Sequence, residues 1–120
     1  MARILVCDDS VFMRMMLKKV LLDNGHEVVA EASDGREAVQ AYRQHSPELV
    51  TMDITMPKLD GIEAVKIIRE EDPFARIIMV TAIGQQAIIT EAIKAGASDF
   101  IVKPFETDKV VQTITKVLAG

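Results

Sequence analysis

The chain reads as an α/β protein, a single doubly wound parallel sheet of five strands with helices on both faces. Three observations predict it. Short apolar runs alternate five times with amphipathic segments. The runs are apolar almost throughout, as strands covered on both faces must be. The 120 residues contain no linker, low-complexity tract or second composition regime, so one domain over 1–120 is expected. Right-handed crossovers then restrict the topology.

The first run, Ile4-Leu5-Val6-Cys7, is bounded by Asp8-Asp9. Phe12, Met13, Met16, Leu17, Val20 and Leu21 follow at helical spacing and predict one apolar stripe, with Gly25 as a left-handed stop. Val28-Val29-Ala30 predicts the second strand. Asp34 and Glu37 form a capping box for a helix that buries Ala38, Val39, Ala41 and Tyr42 and stops before Pro47. Leu49 to Met52 predict a third strand ending at Asp53. Asp60 and Glu63 open the next helix, which carries Ile62, Val65, Ile67 and Ile68 and stops at Pro73. Ile77 to Val80 make the fourth strand, with Thr81 at its end. A helix bearing Ile88, Ile89, Ala92 and Ile93 runs to Gly96. Phe100-Ile101-Val102 is the fifth strand, followed by Lys103-Pro104-Phe105 and a last helix capped by Thr107.

Composition narrows the function. A chain of this size buries enough surface to fold without a disulfide or structural metal, and its single cysteine excludes paired-thiol sites. A net charge of −4 argues against bulk electrostatic binding of nucleic acid. No apolar run approaches the roughly 20 residues of a membrane span, and no leader precedes Arg3. A soluble cytoplasmic domain is expected, with an aliphatic, methionine-rich core and a radius of gyration of ~13–14 Å.

In open α/β sheets ligands bind beyond the carboxyl ends of the strands. The residues expected at that rim are Asp8 and Asp9, Glu31, Asp53, Thr81 and Lys103. Clustered carboxylates repel and raise one another's pKa, and a hard divalent cation such as Mg2+ resolves the conflict. Lys103 and Thr81 would then serve the oxygens of a phosphoryl group. No nucleotide-binding glycine loop is present, so an ATPase or kinase is disfavoured. A carboxylate can itself take the phosphoryl group, and Asp53, alone on a central strand, is the candidate.

The ordered set Asp8-Asp9, Met52-Asp53-Ile54-Thr55-Met56-Pro57, Thr81-Ala82 and Lys103-Pro104-Phe105 resembles the receiver domain of two-component response regulators across essentially the whole chain. The stretch from Phe12 to Leu17 and the segment around Asp53 are similar to its free-standing chemotaxis members. The resemblance implies a flavodoxin-like three-layer sandwich with strand order 2-1-3-4-5. It implies Asp53 as phosphoacceptor and Mg2+ held by Asp9, Asp53, the Thr55 carbonyl and, through a water, Asp8. Lys103, Thr81 and the amides of Thr55 and Ala82 would contact phosphoryl oxygens. Thr81 and Phe100 would form the switch, with phenylalanine where chemotaxis members often carry tyrosine. Thr55 and Ile83 would tune attack by water. The partners implied are a chemotaxis-type sensor histidine kinase, a flagellar motor switch protein and a phosphatase, with neither nucleic acid nor membrane, and the protein a monomer. It would accept and lose the phosphoryl group by its own activity without being a turnover enzyme. The readout would fall on the fourth helix, fifth strand and fifth helix, at Ile88, Lys94, Ala97, Phe100 and Lys109.

Other readings compete. Asp8 or Asp9 singly could cap a turn, Thr81 could be a satisfied hydroxyl and Lys103-Pro104 a simple turn. Met13 and Met16 are expected to fill the core, with Met15 exposed. Cys7 is expected to be an inert buried thiol, Tyr42 packing, Glu31 a solvated neighbour, and His26 and His45 surface residues. A haloacid-dehalogenase-type phosphatase would need an aspartate where Thr55 stands, and a flavin carrier a hydroxyl- and glycine-rich first loop. A phosphorelay or sporulation-type single receiver remains the alternative within the family. No segment for a DNA-binding effector is seen, so output is expected to pass through a separate partner.

Overall fold

The computed structural model describes residues 2–82 and 86–120. Strands and helices alternate throughout: β1 Arg3–Cys7, α1 Val11–Asp23, β2 Glu27–Ala32, α2 Gly35–His45, β3 Leu49–Asp53, α3 Gly61–Glu71, β4 Ile77–Ala82, α4 Gln86–Ala95, β5 Asp99–Lys103 and α5 Thr107–Ala119. All four strand pairings are parallel, and the order is β2-β1-β3-β4-β5. The Cα radius of gyration is 12.6 Å, slightly tighter than the length alone suggests.

Because side chains alternate along a strand, the sheet feeds two separate cores. Leu5, Val50, Met52, Ile77 and Met79 pack with residues of α2, α3 and α4. Ile4, Val6, Leu49, Ile78 and Ile101 pack with Leu17 and Leu21 of α1 and with Val110, Ile114 and Val117 of α5. The aspartate half of each predicted capping box forms, whereas the Glu37 side chain accepts from the Ser33 amide and that of Glu63 from Lys66. Asp34 accepts from the Glu37 amide at 2.9 Å and Asp60 from the Glu63 amide at 2.9 Å. Gly25 (φ 82°) follows α1 and Gly96 (φ 121°) follows α4, both in the left-handed region where a side chain is strained.

Four expectations need correction. Helix α1 has a narrower stripe than its spacing suggests. Leu17 and Leu21 are buried, whereas Phe12 is 68% exposed, and Met15 and Met16 are also exposed. Only its later turns reach the sheet, so the hydrophobic side chains of the first turns find no layer to enter. Thr107 is not the cap of α5. Glu106 holds that position without a side-chain bond, and Thr107 is already helical. Strand β2 extends to Ala32, so Glu31 lies within it and not beyond its end. Ala97, expected at a readout surface, is buried against the α2–α4 core. The Lys103-Pro104 peptide bond is cis.

Candidate functional site

The carboxyl ends of β1, β3 and β5 deliver the charged groups. Asp8 directly follows β1, Asp53 is the last residue of β3 and Lys103 the last of β5. Alternation puts all three on the α1–α5 side, in register with Val6, Leu49 and Ile101. Asp8 and Asp53 are buried and Asp9 is exposed. One oxygen from each of the three carboxylates lies within 4.8 Å of the others. The Lys103 ammonium bridges the two buried acids, 3.0 Å from Asp8 Oδ2 and 3.4 Å from Asp53 Oδ2.

Backbone amides fix these side chains. The Ser10 amide donates to Asp8 Oδ1 at 2.9 Å while the Ser10 hydroxyl caps α1 through the Met13 amide at 3.2 Å. The Thr55 amide reaches Asp53 Oδ1 at 3.4 Å. Gly61 is close-packed under the site. A β-carbon there would lie 2.1 Å from the Asp53 carbonyl oxygen, so the start of α3 can approach β3 only because position 61 is glycine.

Burial raises the Asp53 pKa from its ordinary 3.8 to about 6, Asp8 adds to the rise, and Lys103 and the Thr55 amide pull against it. For Lys103, burial opposes the charge, but the bond to Asp8 and the two carboxylates outweigh it and its pKa is raised. The site therefore keeps its ammonium while holding more negative charge than one ammonium cancels. All donors are hard oxygens, the pocket is open at Asp9, and the surplus charge is negative. That set fits a divalent cation of the Mg2+ type, which takes one or two carboxylates and retains waters.

The remaining predicted residues sit around this cluster. Thr81 is buried in β4, with its hydroxyl 3.5 Å from the Ala82 carbonyl oxygen. Ala82 pairs with Lys103 across the ladder and is exposed, as is Thr55. Thr81 shares the parity of Met79, the ladder partner of Phe100, so Thr81 and Phe100 belong to the α2–α4 face. Phe100 is 38% exposed. Ile83 lies outside the described residues. A groove of about 570 Å³ between β5 and α5 is lined by Phe100, Val102, Lys109 and Gln112 among others, and by none of Asp8, Asp9 and Asp53.

The structure adds residues that the sequence reading passed over. Arg14 donates to the Asp8 carbonyl oxygen at 2.6 Å and to Glu31 at 3.1 Å, and Lys18 holds Glu31 at 2.9 Å. Glu31 is therefore an anchor for α1 and not a free neighbour. Two basic residues four apart on α1 were the available signal. Cys7 is buried, and burial pushes its thiol pKa well up. Tyr42 packs and also donates to Asp72 at 2.6 Å. His26 is half-buried, accepting from the Ala2 amide at 3.1 Å, and burial lowers its pKa.

Known proteins share this fold. The family model for the response regulator receiver domain matches residues 4–115. Chemotaxis protein CheY of Bacillus subtilis is 60% identical over 116 residues, covering 97% of both chains. CheY of Thermotoga maritima is 56% identical over 115 residues, covering 96% of both. The CheX–CheY–BeF3–Mg2+ complex from Borrelia burgdorferi contains a chain with a TM-score of 0.92 and 40% identity, covering 96% of this chain and 87% of that one.

Proposed function

Because the chain belongs to the response regulator receiver family, we propose that it is a chemotaxis-type switch that takes a phosphoryl group from a sensor histidine kinase onto Asp53. The observation that carries this reading is the Lys103 ammonium bridging Asp8 and Asp53 beside a third carboxylate. An Asp53 carboxylate oxygen attacks the phosphorus of a phosphohistidine. The P–O bond forms as the P–N bond breaks, and the imidazole nitrogen keeps the electron pair. Lys103 would neutralise a phosphoryl oxygen, and the Thr55 and Ala82 amides would donate to others. Thr81 offers a hydroxyl from the other face. Asp9, Asp53, the Thr55 carbonyl and, through a water, Asp8 would hold Mg2+, which supplies charge neutralisation for the transferring group. A relative solved together with Mg2+ and BeF3 supports that assignment.

Phosphorylation replaces the single charge of the Asp53 carboxylate with a phosphoryl group carrying nearly two, a net gain of about one negative charge. Thr81 and Phe100 then shift together on their shared face and alter the α4–β5–α5 surface. The partner bound there is the flagellar motor switch, with Lys94, Phe100 and Lys109 offered on the surface and Ile88 beneath it. The group is later lost to water by the domain's own activity, aided by a phosphatase. No helix among the described residues is long and apolar enough to cross a membrane. The protein works as a cytoplasmic monomer, one receiver domain over 1–120.

The test is incubation with a small acyl phosphate and Mg2+, followed by the mass of the intact protein. One phosphoryl addition on the wild type, lost in Asp53→Asn, is expected. No addition, or addition that persists in the variant, overturns the assignment.

A further inference from the structure

The loop joining β3 to α3, residues 54–60, must present Thr55 to the site, and it is pinned at both feet. The Ile54 amide donates to the Val80 carbonyl oxygen at 3.2 Å, and the Gly61 amide closes the loop on the Ile54 carbonyl oxygen at 2.8 Å. Its tip rests on a different element, the start of α2. Lys58 adopts a left-handed backbone (φ 66°), a conformation that glycine or asparagine takes more cheaply than lysine. Its ammonium lies 3.5 Å from Asp34 Oδ2. Asp34 is buried, and its other oxygen already caps α2 through the Glu37 amide. One buried carboxylate thus serves the helix with one oxygen and the loop with the other. Next to it, a β-carbon on Gly35 would lie 2.0 Å from the Leu59 carbonyl oxygen, so helix start and loop tip touch backbone to backbone.

We propose that Asp34, Gly35 and Lys58 are positioning residues for the acceptor site, with the start of α2 clamping the loop and so setting where the Thr55 carbonyl stands beside Asp53. This rests on the reading of Asp53 as an acceptor supported by Mg2+. Ile54 and Met56, on either side of Thr55, are buried, so a displaced tip is transmitted along a short segment with little slack. Lys58 is largely exposed, and exposed ion pairs contribute little to overall stability. Losing the pair should therefore loosen the loop more than it weakens the fold.

The test measures Mg2+ affinity by titration calorimetry on the purified protein, with unfolding monitored alongside. The variants are Lys58→Met, Lys58→Arg, Asp34→Asn and the Asp34→Asn/Lys58→Met double. Asparagine is as good a helix cap as aspartate, so α2 keeps its start. Charge acting at a distance predicts opposite results, with Lys58→Met binding Mg2+ more tightly and Asp34→Asn more weakly. Positioning predicts that both weaken binding, by roughly three- to tenfold, short of the loss expected for a direct outer-shell partner. The double variant should then be no worse than the worse single one, and Lys58→Arg should stay within about twofold of the wild type, since it keeps the pair. If Asp34→Asn fails to fold, Lys58→Met decides alone. Mg2+ binding by Lys58→Met as tight as the wild type, or tighter, overturns the clamp and leaves the acceptor reading intact. A wild type that takes up no Mg2+ overturns both.

Discussion

Replacing Asp53 with asparagine should make the metal-free protein more stable at neutral pH. In the fold, burial and then Asp8 hold this carboxyl at about 6 instead of 3.8. At 1.36 kcal/mol per pKa unit that gap corresponds to ~3 kcal/mol. Screening by water at the open rim halves it to ~1.5 kcal/mol. The sign follows from proton counting. Between pH ~4 and ~6 the folded protein retains a proton that the unfolded chain has released, so stability falls as pH rises through that window. Above about pH 6 the whole penalty is present. Asparagine carries no charge, and Lys103 keeps Asp8 at 3.0 Å as its partner. Urea unfolding followed by circular dichroism, with a chelator present, should give the variant an advantage of ~1.5 kcal/mol at pH 7.5 that shrinks towards zero near pH 4. In a melt the shift is roughly 5 °C. A variant no more stable than the wild type at pH 7.5, or an advantage that does not change with pH, would refute the reasoning.

Two further outcomes follow from the site. Mg2+ should raise the melting temperature of the wild type, because the cation binds the assembled carboxylates and not the open chain. Asp9→Ala should abolish that rise, and an undiminished response would remove Asp9 from the metal ligands. Gly61→Ala should cost ~2–3 kcal/mol in urea unfolding, since the new methyl would meet the Asp53 carbonyl oxygen at 2.1 Å. A loss below about 0.5 kcal/mol, the ordinary scale for a surface change, would show that β3 and α3 can separate without harm.

The fold was legible because its signals are local. Five apolar runs, two aspartate caps and glycines at helix ends are visible without knowing what lies across the sheet. The charged rim was legible for a related reason. Asp8, Asp53 and Lys103 stand at strand ends, where a parallel sheet gathers side chains distant in sequence. Strand order was carried by resemblance and not by the residues. What escaped depends on packing between elements. The periodicity of Phe12, Met13 and Met16 matches that of Leu17, yet only contact with the sheet decides which of them is covered. Glu31 looked solitary because its partners, Arg14 and Lys18, lie on helix α1 and not on its own strand. Nothing in the spacing from Asp34 to Lys58 announces an ion pair, since two element ends converge there only in the folded chain.

Alternation along the ladder has one more consequence. Asp53 and Lys103 project to one side of the sheet, Thr81 and Phe100 to the other. Negative charge added at Asp53 is therefore felt in two currencies. A molecule docking beside α1 meets the new electric field at short range, and its grip should slacken as salt is added. On the proposed reading a molecule docking along α4 would meet chiefly the contour altered by Thr81 and Phe100, and should be far less sensitive to ionic strength.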